Sequence, residues 1–466
     1  MKAINRDILK LAVPSILANI TVPLVGMVDI AVAGHLDASA ATMIGGIAVG
    51  SMLFDLLYWN FGFLRIGTGG LAAQAFGRDD RKECARILAR ALGIALSCSL
   101  LLIAVQWIFI KAAFMVVECT PEVRELASQY FFIRIWAAPA TLSLMAFKGW
   151  FIGMQDSISP MATDIIVNGM NMLMSILLAM KIGFSGIAVG TVIAQWTGLL
   201  TAVCLLVFKY RRNTMSHLQS DDLKGLFKGA ETRNFFVMNT DLFVRSLCFI
   251  AIYIGFTTIS ARYGDLLLAV SSILMKLLMI FSYFTDGFAY AGEALSGRYI
   301  GAKDGPMLRT TVRWTFVWSM GLAGLFMLIY HFAGIPMLRM MTSDVAVIEA
   351  SGEYMPWLLM MPVVGCAAFT WDGIYIGATA SKAIRNSMLW AVVAFAGVWF
   401  IGISCLGLSS VPVTDALPDA LPGATRYGRI AMHILMAAYF AHLLARTIYL
   451  SVRTSYVFGH ITENNN

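Results

Sequence analysis

Apolar residues run together along this chain in stretches long enough to cross a bilayer, and the polar residues gather in the short connections between them. A spanning helix needs about 20 mainly apolar residues. Twelve are predicted on that criterion, at 8–34, 41–76, 87–113, 122–154, 161–181, 186–209, 236–261, 266–300, 309–337, 348–378, 386–408 and 429–452. Several exceed one bilayer thickness, so tilt, kinks or projection into water must take up the excess. Helix 1 carries Pro14 and Pro23, each of which removes a backbone hydrogen bond, so it is a natural bending element. The apolar run that follows Lys2, Arg6 and Lys10 continues from Leu11 to about Val28. That is longer than the roughly 7 to 15 residues of a signal-peptide core, and it reads as a retained first membrane helix.

Composition agrees: 59% of the 466 residues are hydrophobic and 13% are charged, where soluble domains carry about 25% charged residues. Lipid must be the solvent for much of the chain. The net charge of +7 would suit a nucleic-acid ligand in a soluble protein, but here the placement of the charges matters more than their sum, and no nucleic-acid partner is expected. With the N-terminus inside, the inner segments hold 21 Lys and Arg and the outer segments seven. Cytoplasmic loops are enriched in these residues, so both termini are placed in the cytoplasm of a multi-pass inner (plasma) membrane protein. The seven cysteines lack a CxxC spacing and lie mostly in apolar runs, which reads as small buried apolar residues and not as a disulfide frame or metal site.

The longest polar connection, about Lys209 to Asn234, divides the chain near its middle and invites a search for internal repetition. At an offset of 224, Phe63–Asp80 lies over Gly287–Asp304, matching Leu71 with Leu295, Gly77 with Gly301 and Asp80 with Asp304. The same offset sets Gly149, Ile152 and Gly153 on Gly373, Ile376 and Gly377. Six helices per half is an even number, so both halves enter the membrane in one sense, related by an axis along its normal. The expected fold is an all-α integral membrane protein with twelve transmembrane helices in two pseudo-symmetric six-helix lobes. The division expected is 1–209 (helices 1–6), a cytoplasmic linker over 210–235, and 236–466 (helices 7–12). This is a secondary-transporter plan and points to alternating access.

No GxxxxGK(S/T) phosphate loop and no HExxH zinc site is present, and the six histidines are scattered. The stretch Asp79–Glu83 mixes basic with acidic residues and reads as a solvated loop, not a metal-diphosphate site. No enzyme activity, cofactor or metal is expected. What remains is a small set of polar and ionisable residues inside apolar helices, costly there and functional by default. Asp29, near the outer end of helix 1, can take up a proton from outside, or can be a structural carboxylate. Asn168, Asn171 and Ser175 share a face of helix 5, and Thr191 and Gln195 share one of helix 6. These are groups that can ligate a cation, or act as interhelical hydrogen-bond glue. Tyr130 and Arg134 pair at i, i+4 on helix 4, where Arg134 is free to snorkel toward the outer headgroups. Lys148 and Asp372 occupy equivalent repeat positions, as a gate between lobes or as two pairs each within its own lobe. Asp286, Tyr290, Glu293 and Gly297 fall along one face of helix 8. Its two carboxylates can hold a cation or proton, or pair with Lys276 or Arg245. The 28 methionines, with aromatics such as Trp59, Phe61, Phe63, Phe151 and Phe288 near polar positions, suit an adaptable cavity.

The runs MVDIAVAGHL (Met27 to Leu36), YWNFGFLRIGTGGLAAQAFG (Tyr58 to Gly77), KGWFIGMQ (Lys148 to Gln155), DGFAYAGEALSG (Asp286 to Gly297) and DGIYIGAT (Asp372 to Thr379) resemble the DinF-type branch of the MATE (multidrug and toxic compound extrusion) transporters. The resemblance implies two six-helix lobes and proton- or sodium-driven export of organic, often cationic, compounds. By it, Asp29 matches a helix 1 aspartate implicated in proton coupling, and Tyr130, Asn171 and Thr191 match polar positions around the N-lobe cavity. One departure stands out: Ser175 occupies a position where many relatives carry a second aspartate, which leaves coupling to Asp29 largely alone. The expected activity is proton-driven efflux of small amphipathic or cationic compounds, with the bilayer and these compounds as partners and a monomer sufficing. Two alternatives keep the fold. One is sodium coupling with Asp29 and Asn171 as oxygen ligands; the other is a flippase-like exporter of a lipid-linked or specific metabolite, marked by a basic cavity of which Lys148 and Arg134 are the hint.

Overall fold

The protein was analysed as a computed structural model, which describes residues 2–34, 40–117, 119–217, 226–227, 230–405 and 426–462. Among them, twelve helices are long and apolar enough to cross a membrane: α1 (Ala3–Ala33), α2 (Thr42–Gly77), α3 (Arg81–Met115), α4 (Pro121–Gly153), α5 (Ile158–Ile182), α6 (Phe184–Tyr210), α7 (Thr232–Ala261), α8 (Asp265–Gly301), α9 (Gly305–Met341), α10 (Met355–Gly377), α11 (Ser381–Cys405) and α12 (Tyr427–Gly459). Among the described residues there is no strand. The linker expected over 210–235 lies largely outside the described residues. Large apolar side chains on the bundle surface, such as Phe208 and Met340 at 85% and 86% exposure, are solvated by lipid. The cysteines are not uniformly buried, contrary to what their apolar surroundings in the sequence suggest. Cys84, Cys248 and Cys366 are buried, but Cys204 and Cys405 stand on exposed helix faces, where an apolar thiol meets acyl chains at little cost.

Helix α1 runs unbroken through Pro14 and Pro23. The span read as 348–378 is instead two pieces, a short helix over Val345–Glu353 and then α10, with the break at Tyr354. Pro356 lacks the N–H that would continue the ladder, and Tyr354 is fully buried there. Short 3₁₀ turns interrupt α2 at Asn60–Gly62 and α4 at Ile135–Ala137.

The repeat found in the sequence is a repeat of conformation. The Asp80 carboxylate caps α3 by accepting from the Glu83 N–H at 2.9 Å, and Asp304 caps α9 by accepting from the Met307 N–H at 3.0 Å. Among the described residues, four non-glycine residues have left-handed φ: Asp79 and Lys303, both at 57°, and Gln155 and Thr379, at 63° and 53°. Each pair is separated by the same offset of 224. Helix contacts repeat as well. Pairs α1/α5, α2/α4, α3/α4, α4/α6 and α5/α6 in one lobe correspond to α7/α11, α8/α10, α9/α10, α10/α12 and α11/α12 in the other.

Across the lobes, α2 and α8 meet at the pseudo-two-fold axis, so that equivalent residues touch. Gly69 lies against the Glu293 carboxylate, Ala73 lies against Gly297, Gly77 packs on the Arg298 carbonyl and Gly301 on the Gln74 carbonyl. Only a residue without Cβ allows backbones this close. Gln74 Nε2 donates to the carbonyl of Gly377 at 3.0 Å, and Gln155 Nε2 donates to the carbonyl of Ala294 at 2.7 Å. The lobes are therefore joined at the ends of α2 and α8 marked by Gly77 and Gly301. Toward their other ends they part, with the first segment of α2 packed on α1 and α4 of its own lobe. Gly301→Val is expected to wedge this junction at a cost of about 1–3 kcal/mol, seen as a lower thermal midpoint of the purified protein, whereas the same change at the open position Gly321 should leave that midpoint alone.

Candidate functional site

In the first lobe, Asp29 is 6% exposed, so its carboxylate points into protein and not into acyl chains. Ser175 approaches it from α5, and Asp29 Oδ1, Ser175 Oγ and Asn171 Oδ1 are all buried with no hydrogen bond of good geometry. Asn171 Nδ2 donates to Thr191 Oγ1 at 2.9 Å, tying α5 to α6, while Asn168 Nδ2 donates to Thr21 Oγ1, tying α5 to α1. Gln195, one turn beyond Thr191, is half-buried and makes no side-chain hydrogen bond among the described residues. The sequence-predicted polar residues of α1, α5 and α6 are thus brought together around three orphaned buried oxygens, with Gln195 outside the group.

Arg134 completes this site, contrary to the expectation that it snorkels. Its Nη1 donates to the fully buried Tyr130 hydroxyl at 3.0 Å, and its guanidinium lies 4.7 Å from the centroid of the Phe54 ring. The pair spacing that could have let Arg134 reach outward instead binds it inward, because a tyrosine hydroxyl one turn away offers an acceptor inside the lobe. From there its charge reaches both Asp29 and Asp55.

A second set of charges lies where the lobes join. Arg65 Nη1 of α2 bonds Glu293 Oε2 of α8 at 3.1 Å, and the guanidinium lies 4.5 Å from the Tyr290 ring centroid. Glu293 therefore pairs across the lobes with Arg65, not with Lys276 or Arg245. Asp286, one turn before Tyr290, has no ion pair among the described residues; the charges of Arg65, Lys148 and Arg245 reach it. Lys148 and Asp372 do not meet. Lys148 bonds Asp164 at 2.7 Å, and Asp372 is bonded by Arg245 at 2.8 Å and by the buried Arg446, so each has its partner in its own lobe. The Lys148–Asp164 pair borders a small hollow with Phe147, Phe151 and Thr163. A small apolar hollow in the other lobe is lined by Met275, Met361, Met436, Trp357 and Tyr439.

The sequence reading missed Asp55, Arg65, Asp164 and Arg446, and gave Arg245 only as one option. Each is a lone charge inside an apolar run, the same signal that singled out Asp29. At the connection between α4 and α5, burial pushes the Asp156 carboxyl up, but bonds from the Ser159 hydroxyl and N–H and from Lys209 outweigh it and hold the acid below its ordinary range. This clamp fixes α4, α5 and α6 relative to one another at one end of the lobe.

A family profile described as MatE matches residues 14–177 and 242–401. The chain is 36% identical over 388 residues to DNA damage-inducible protein F of Escherichia coli (strain K12), covering 83% of each. Its fold superposes on the crystal structure of a MATE in the bent conformation with a TM-score of 0.82 at 13% identity, covering 98% of this chain and 97% of that one. A multidrug resistance MATE family transporter of the MOP superfamily, in an outward-facing conformation, gives 0.81 at 14% identity over 97% and 96%.

Proposed function

This chain belongs to the MatE family of multidrug and toxin efflux transporters, which are not enzymes, and from that premise we propose that it is an inner-membrane antiporter driven by protons through Asp29. Its cargo would be small amphipathic or cationic organic compounds, and both its termini would lie in the cytoplasm. The observation that carries the reading is the buried Asp29 carboxylate beside two further unpartnered oxygens, Ser175 Oγ and Asn171 Oδ1.

A charged Asp29 has only acceptors to offer to the amide oxygen of Asn171. A protonated Asp29 gains an O–H donor, and both Asn171 Oδ1 and Ser175 Oγ can accept it. Protonation therefore draws α1 toward α5. Helix α1 can follow because Pro23, less than two turns before Asp29, leaves the carbonyl of Asn19 without its ladder partner. The same proton removes the negative charge opposite Arg134, which stays bonded to Tyr130. The space in the first lobe shrinks and loses a counter-charge for a cationic cargo at the same moment, so entry of a proton and departure of the cargo are one event.

A flippase-like role for a phosphate-bearing cargo has less support. Lys148 is committed to Asp164 at 2.7 Å, and Arg134 is shared among Asp29, Asp55 and Tyr130, so neither forms an uncompensated basic pocket. Sodium is the nearer alternative, since Asp29, Asn171 and Ser175 all present oxygens. In proteoliposomes holding the purified protein, a pH gradient alone is expected to drive export of a fluorescent organic cation, and a sodium gradient at equal pH on both sides to drive none. Efflux under the sodium gradient alone would replace the proton in this scheme.

A further inference from the structure

Two charges inside the spanning helices have no role so far. Asp55 on α2 and Lys276 on α8 are both exposed, and neither has an ion partner within 4.0 Å among the described residues. Their exposure is to the cleft and not to lipid. Asp55 shares its helix face with Trp59 at i, i+4, and the Trp59 ring meets Tyr253 and Phe249 of the opposite lobe at centroid distances of 5.4 and 6.3 Å. Lys276 lies on the stripe of α8 that continues, seven residues at a time, through Tyr283 and Tyr290, and Tyr290 sits under Arg65 of the opposite lobe. The charge of Lys276 reaches Asp55 across the gap, and the charge of Asp55 reaches the hydroxyls of Tyr253 and Tyr283. The charge of Arg134 also reaches Asp55, more strongly than that of Lys276, but its guanidinium is bonded to the Tyr130 hydroxyl and lies over the Phe54 ring within its own lobe, whereas Lys276 has no such tie.

An unpaired carboxylate within a membrane span is costly and calls for a counter-ion. In the parted cleft Lys276 is out of bonding range, and the open carboxylate stands above a floor of aromatic rings. That combination favours a large, weakly hydrated organic cation, which gains both the charge and the ring faces; a small inorganic cation in a wet cleft keeps its water. As α2 and α8 come together along their parted halves, Lys276 is the group that advances on Asp55.

We propose that Asp55 is an organic-cation subsite in the cleft, with Lys276 as its resident competitor, so that cargo and ammonium occupy the same carboxylate in turn. The cleft then closes over Asp55 only when cargo has left it, which gives export its direction. The proposal rests on the efflux reading above, but not on the coupling ion or on Asp29.

The test is equilibrium binding of tetraphenylphosphonium to the full-length protein in lipid nanodiscs, at constant pH and with no gradient. Failure of proton coupling therefore cannot affect the result. Asp55→Asn is expected to weaken binding about tenfold, Asp55→Glu to restore most of it, and neutral triphenylphosphine oxide to bind the parent and the Asn variant alike. Lys276→Gln is expected to tighten tetraphenylphosphonium binding about threefold, since it removes a competing charge. That gain is something a merely structural lysine would not produce. Both positions are exposed, so thermal midpoints should be unchanged. Unaltered affinity in Asp55→Asn, no binding by the parent chain, or any Lys276→Gln result other than tighter binding overturns the proposal.

Discussion

Proteoliposomes carrying Asp29→Asn are expected to lose pH-driven export by about a hundredfold or more while still binding the cargo cation at Asp55. Asparagine has nearly the shape of aspartate and its amide N–H, like the O–H of the protonated acid, can donate to Ser175 Oγ or Asn171 Oδ1, so the junction of α1 with α5 should survive. What it lacks is a titrating proton. A group that cannot change charge between the two faces cannot shift the equilibrium between the two arrangements of the lobe, however well it packs. A shift from about 1:99 to 99:1 needs roughly 5.5 kcal/mol of differential interaction, and loss of the one acid in the group formed by α1, α5 and α6 removes that source. Adding Ser175→Asp to the Asp29→Asn variant should recover part of the export, because it places a carboxylate across the same gap from the same orphaned Asn171 oxygen. Full pH-driven export by Asp29→Asn would remove Asp29 from the mechanism and transfer the role to another acid such as Asp286.

How much of this was legible in the sequence depends on the distance over which each feature is determined. The spans follow from local apolar content, and eleven of the twelve needed no revision beyond their ends; the exception broke at Tyr354 because Pro356 restarts a helix. The offset of 224 came from a few glycines and an aspartate, and those same residues mark where backbones touch: Gly77 and Gly301 on carbonyls across the axis, Asp80 and Asp304 as caps. A glycine at a close backbone approach tolerates little else, so the contact leaves its imprint on the sequence.

Charge partners leave no such imprint. Spacing along one helix says which residues share a face, and it grouped Asn168, Asn171 and Ser175 correctly. It is silent about which face of another helix lies opposite. Glu293 was offered Lys276 or Arg245 and took Arg65, 228 residues away, because the crossing of α2 with α8 decides the pair. Lys148 and Asp372 were equivalent by repeat, yet an axis that brings Gly69 to Glu293 at the centre leaves positions 148 and 372 in separate lobes.

That separation leads to the largest expected effect on stability. Asp372 is 5% exposed and Arg446 2%, and one oxygen of Asp372 accepts from both Arg446 and Arg245. Removing the carboxylate in Asp372→Ala leaves the Arg446 guanidinium buried with no counter-charge. Breaking a buried pair in this way costs about 3–5 kcal/mol, and the variant is expected to be recovered in low yield with a sharply lowered thermal midpoint. The remaining Nε of Arg446 and Oδ1 of Asp372 already lack partners, so the pair is not fully satisfied and its net worth is small compared with the cost of breaking it. Replacing both members, as Asp372→Leu with Arg446→Met, is therefore expected to recover most of the midpoint. Transport by that stable double variant separates two roles. Near-parent efflux would mean that the pair only fills the second lobe. A folded protein without efflux would mean that Arg245, freed from Asp372, had altered the charge facing Asp286 in the cleft.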